Sequence, residues 1–283
     1  NVAIGTCALY TNTIGIENVA LGYQALRLNT TGVNNTALGQ ESLTYNTTGV
    51  NNTGVGRRAL QSNTIGIENT SIGSAAMEAN TTGKCNVAVG FNSLKTNTIG
   101  TENTAIGNSA LYNNTTGKRN TAIGSKTLTA NTTGDSNTAI GAYAMFANTI
   151  GNYNTSVGYY SLCANTTGEN NVAFGTSALH NTTTGINNVA IGRSAMYNNV
   201  SGIGNVAIGK FAATQTKGND NTAIGFEALA CNTTGINNVA IGACALRLNT
   251  TGICNVSIGA CSLYSNTIGI RNTSVGNESL KCN

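Results

Sequence analysis

The sequence predicts an all-β fold, a parallel β-solenoid (β-roll) wound in coils of 17 residues, and three observations carry that prediction. The stretch from Asn103 to Arg119 recurs with small changes along the whole chain, and 33 of the 35 glycines fall at just two positions of the repeat. Apolar and small residues alternate over the first four positions, which is strand periodicity, and no i, i+3, i+4, i+7 stripe suggests a helix. Self-similarity at so short a period overrides the domain count that 283 residues would otherwise suggest.

Counted from its opening Asn, the repeat starts at Asn1, Asn18, Asn35 and so on to Asn272, giving sixteen whole copies and a partial one. Residues 1–283 therefore read as a single repeat solenoid. The copy 205–220 is one residue short and has Thr216 where other copies have Asn, so a local irregularity is expected there, not a domain boundary. A chain that opens in mid-pattern without Met reads as a piece of a longer one.

Each element of the repeat has its own reason. Positions 1 to 4, as in Asn103-Thr104-Ala105-Ile106, suit a short strand, with β-branched residues beside a small one. Gly at position 5 makes a corner. Positions 8 to 11 read as a second strand, followed by an Asn-Thr-Thr-Gly turn at positions 12 to 15. The interior is expected to hold the Ile, Val, Leu or Phe of position 4 and the Leu or Met of position 9, namely Ile4, Leu9, Ile106, Leu111, Ile123, Leu128, Phe174 and Leu179 among them. Such a core is thin, and the rows of Ala and Ser at positions 3 and 8 would let another copy pack closely, so side-by-side association is expected.

Stacking turns every position into a row. Position 1 is Asn in every copy, including Asn1, Asn18, Asn35, Asn103, Asn120, Asn137 and Asn188, and position 12 is Asn in most. Stacked carboxamides donate to one neighbour and accept from the other, so these rows read as structural. Charges and all ten Tyr sit at variable positions, chiefly 6, 7, 10, 11, 16 and 17, which must face water or a partner.

Several kinds of chemistry are expected to be absent. A net charge of +4 without a basic run gives no footprint for nucleic acid, and no apolar run reaches the roughly 20 residues of a membrane span. His180 is the only histidine and Asp135 and Asp220 the only aspartates, so neither a catalytic constellation, a metal site nor a cofactor is expected. Cys244 and Cys261 share position 7 of consecutive copies, about 4.8 Å apart by strand spacing, which is within reach of a disulfide. Asn-Thr-Thr at Asn29, Asn46 and Asn80 matches the glycosylation sequon, which is relevant only in a eukaryotic source or a eukaryotic virus. The Thr row at position 13 offers a rival function, ice binding, through regularly spaced hydroxyls and methyls.

Asn188-Val-Ala-Ile-Gly-Arg-Ser-Ala195 resembles the head repeats of YadA-like trimeric autotransporter adhesins. The fuller pattern with Asn-Thr-Thr-Gly is similar to repeats of phage and large-virus fibre proteins. The resemblance covers the whole chain and implies a left-handed roll, a homotrimer or filament, a place on the cell or virion surface, and a host-surface or glycan ligand. The expected function is a non-enzymatic fibre or adhesin shaft or head.

Overall fold

In the computed structural model, described here for residues 1–282, the chain is all-β, with seventeen strands of three residues and no helix. It divides into two compact units, Asn1–Ala142 and the residues from Tyr143 onward. Each is a parallel β-solenoid. The first holds β1 (Val2–Ile4), β2 (Val19–Leu21) and so on to β9 (Thr138–Ile140). The second holds β10 (Thr155–Val157) to β17 (Thr273–Val275). Within each unit consecutive strands pair in parallel with equivalent positions opposite, as in Thr104↔Thr121, Ala105↔Ala122 and Ile106↔Ile123.

The step between strands is 17 residues except from β13 (Val206–Ile208) to β14 (Thr222–Ile224), where Val206 pairs with Thr222 across 16. The short copy lies inside the second unit and keeps register, because the missing residue is taken out of the position 12 to 15 turn. Asn205 Nδ2 still reaches the carbonyl of Gly218 at 2.8 Å.

The coil has one strand, not the two expected. Positions 8 to 11 form a turn, because positions 7 and 9 lie in the left-handed region, as at Ser109 (φ 54°) and Leu111 (φ 51°). Position 17 does the same, as at Arg119 (φ 56°). Left-handed backbone is worst for β-branched side chains, and none of these three rows contains Val, Ile or Thr. Leu and Met at position 9 are thus selected by backbone as well as by burial. Across coils the turn still bonds in order: Leu60 N–H donates to Ala76 O at 3.0 Å and Thr64 N–H to Thr81 O at 3.0 Å.

The core also differs from expectation. In every strand after β1 position 3 is buried and position 4 faces outward, the pattern for Thr104–Ile106 being half-buried, buried, exposed. The interior is filled by position 3, position 8 and position 9, with Ala105, Ala110, Leu111, Leu128 and Leu179 at 0% exposure. Leu9, in the first coil, is half-buried. Ile4, Ile106, Ile123 and Phe174 are exposed, from 36% at Ile123 to 60% at Ile4. A 17-residue coil is narrow, so small residues line the inside of its strand and the larger ones turn out. The Ala and Ser rows are therefore closed to another copy.

Both glycine rows are explained by the next coil. Gly107 has φ 131°, and a Cβ there would meet Gly124 O at 2.5 Å. At position 15, a Cβ on Gly117 would run into the Gly134 carbonyl and the side chain of Asn114.

Candidate functional site

Two Asn rows hold the coils in step. At position 1, Asn120 Nδ2 donates to Asn103 Oδ1 at 3.2 Å and to Gly134 O at 2.8 Å, while its backbone N–H also reaches Asn103 Oδ1 at 3.0 Å. Asn18, Asn35, Asn103, Asn137 and Asn188 are buried in the same manner, whereas Asn1 is exposed. At position 12, Asn46 Nδ2 donates to Asn29 Oδ1 at 2.8 Å and to Gly49 O at 3.1 Å. Among the described residues, three buried side-chain atoms have no partner: Asn165 Oδ1, Thr182 Oγ1 and Thr216 Oγ1. They mark the two places where Thr replaces a position 12 Asn. Asn199, caught between these breaks, turns its amide so that Oδ1 accepts from Gly202 N–H at 2.7 Å and Nδ2 faces Met196 Sδ at 3.7 Å.

The outer face of the strands carries the most continuous apolar surface. Within the first unit, Ile72, Ile106, Ile123 and Ile140 present exposed side chains in one row, with a half-buried Thr beside each at position 2. No charged residue occurs at position 2 or 4 in any copy. Contiguous exposed apolar surface of this kind, rimmed by polar residues, marks interaction sites.

A second surface is an aromatic corner in the second unit, which the sequence shows only as scattered variable residues. Tyr143 and Tyr160, both at position 7, stack with centroids 4.9 Å apart and planes 12° off parallel. Tyr159 meets Tyr160 edge-on at 4.4 Å, and Phe146 tilts against Tyr143 at 5.7 Å. His180 stacks on Tyr197 at 4.8 Å and 10°, both at position 10. Farther along, Lys210 lies over Phe211 at 5.1 Å and Arg193 over the same ring at 5.9 Å. The hydroxyl of Tyr159 beside it raises the Tyr160 pKa, so this phenol stays neutral.

Cys244 and Cys261, the pair within reach of a disulfide by spacing, are free thiols in the structure. Burial first, then the neighbouring Cys261, raises the Cys244 pKa and keeps that thiol protonated. Burial likewise raises Cys163. Among the described residues there is no pocket, and no three His, Cys, Asp or Glu side chains converge as a metal site. No helix is long and apolar enough to cross a membrane.

The position 13 Thr row is spent largely on the stack. Thr47 Oγ1 donates to Thr64 O at 3.1 Å and Thr115 Oγ1 to Thr132 O at 3.1 Å, and the row is interrupted at Val200 and Lys217. What remains is a repeating scaffold with an apolar sheet face and one aromatic corner. Compared with protein-family models and with curated protein sequences, the chain matches none.

Proposed function

We propose that this chain is a structural, non-enzymatic module, the shaft or head of a fibre at a cell or virion surface, and that it self-associates through the position 4 face. The observation that carries the reading is the uncharged apolar row on the outer side of the sheet, maintained while the outward positions 6, 7, 10, 16 and 17 vary freely and carry all but one of the charges. The likeness of the repeat to adhesin and viral-fibre repeats supports a trimer or filament. The aromatic corner, with stacked rings flanked by Arg193 and Lys210, is the adhesive contact in this reading, suited to a glycan or another host-surface ligand.

Sedimentation velocity of the purified chain tests the proposal. The parent is expected to sediment as a trimer or larger species. The double variant Ile106→Asp, Ile123→Asp is expected to sediment as a monomer with an unchanged circular dichroism spectrum. A parent that is monomeric at tens of micromolar overturns the reading.

A further inference from the structure

The same Asn rows that lock the coils also carry the acceptor signal for N-linked sugar. Nine position 12 asparagines, Asn29, Asn46, Asn80 and Asn249 among them, are followed two residues on by Thr or Ser, and so are Asn69, Asn154, Asn255 and Asn272 at position 1. All nine at position 12 are fully buried. The acceptor atom is Nδ2, and in seven of the nine, all but Asn199 and Asn232 beside the two Thr breaks, both of its hydrogens are already committed. On Asn46 they go to Asn29 Oδ1 at 2.8 Å and Gly49 O at 3.1 Å, and on Asn249 to Asn232 Oδ1 at 2.9 Å and Gly252 O at 3.1 Å.

Glycan transfer from a lipid-pyrophosphate donor forms a bond between Nδ2 and the anomeric carbon, breaks the sugar–phosphate bond, and releases one Nδ2 proton with the lipid pyrophosphate. The product keeps a single Nδ2 hydrogen where the coil needs two, and it holds a sugar where the preceding coil must lie. From this geometry we infer that modification at position 12 and closure of the coil exclude one another. The chain is therefore built to fold in a compartment without N-glycan transferase, and reaches any outer surface by a route that bypasses a glycosylating lumen. Eight free thiols are in keeping with a reducing compartment of that kind. The inference concerns where the chain folds and stands apart from what the folded chain does.

The chain supplies its own control. Copies such as Asn63-Thr64-Ile65-Gly66 and Asn97-Thr98-Ile99-Gly100 lack the signal yet keep the ladder, with Asn97 Nδ2 on Asn80 Oδ1 at 2.8 Å. Exposed sequons at Asn34, Asn51 and Asn113 report whether the transferase has acted at all.

The test is to express the full chain in one eukaryotic cell line, with and without a cleavable secretion leader, alongside a silenced variant. That variant carries Ile at position 14 of the nine copies (Thr31→Ile, Ser201→Ile and their equivalents) and Ala at position 3 of the four (Ser71→Ala and its equivalents). Sites are mapped by glycosidase treatment and mass spectrometry, and folding by protease resistance. Expected are a resistant cytosolic parent, a lumenal parent glycosylated at position 12 and degraded at least tenfold faster, and a resistant lumenal variant carrying sugar only outside positions 1 and 12. A lumenal parent as resistant as the cytosolic one, whether or not position 12 is modified, overturns the inference. So does a silenced variant that is still degraded in the lumen.

Discussion

Replacing Thr182 by Asn should repair the ladder where it breaks, and the structure sets the size of the gain. Two of the three unpaired buried atoms meet at this site, Asn165 Oδ1 and Thr182 Oγ1. An Asn at 182 would donate to Asn165 Oδ1 and Gly185 O, as Asn131 does to Asn114 Oδ1 at 2.9 Å and Gly134 O at 3.0 Å. Its own Oδ1 would draw Asn199 Nδ2 away from Met196 Sδ. Each buried unpaired polar atom costs about 1–3 kcal/mol, so removing two should stabilise these coils by roughly 2 kcal/mol at the low end. Because a solenoid opens locally, the readout is native-state hydrogen exchange at Thr182 and Thr183, whose amides bond to Leu179 O and Val200 O. A gain of ~2 kcal/mol slows exchange about thirtyfold. Thr182→Val removes the stranded hydroxyl without restoring the ladder and should recover less than half of that. Protection in the Asn variant no greater than in the Val variant would refute the reasoning.

Other perturbations follow from the same geometry. Leu111→Met should cost under about 1.5 kcal/mol, whereas Leu111→Ile, forcing a β-branched side chain into φ 51°, should cost roughly 1–3 kcal/mol more by denaturant melt. Gly107→Ala puts a methyl 2.5 Å from Gly124 O at φ 131° and should make coils 7 and 8 protease-sensitive; a variant as resistant as the parent would contradict the close approach. The Cys163 pKa is raised by burial, so the neutral thiol is the form that folding favours. Its contribution is complete below the unfolded thiol pKa and is lost as pH rises through the higher folded value. Alkylation of Cys163 at pH 8 should accordingly be slower than that of a peptide thiol, and equal rates would contradict the burial.

The 17-residue period, the glycine rows and the paired Asn rows are legible in the sequence because each position recurs often enough for its constraint to show. Which face of the strand turns inward is not, since Ala105 and Ile106 alternate whichever way the strand is set. Ranking by hydrophobicity puts Ile106 inside, but the narrow coil admits Ala105 there and fills the remaining space with Leu111. The turn at positions 8 to 11 looks like a strand for a related reason: it contains ordinary strand residues, and the signal against a strand lies in what positions 7 and 9 lack, any Val, Ile or Thr. The aromatic corner has no periodic signature, because Tyr143, Tyr160, His180 and Tyr197 meet only once the coils are stacked.

The amide rows also have a direction. Away from the breaks at Thr182 and Thr216, each coil's Nδ2 groups reach back to Oδ1 of the coil before it, Asn35 to Asn18 and Asn46 to Asn29 alike, so the advancing end of a stack presents bare amide oxygens. A segment leaving the ribosome arrives at that end with its donors free and finds a template already set in its own register. The side-chain ladder and synthesis thus run the same way along the chain, and the amides of a newly made coil find their acceptors on a coil already in place.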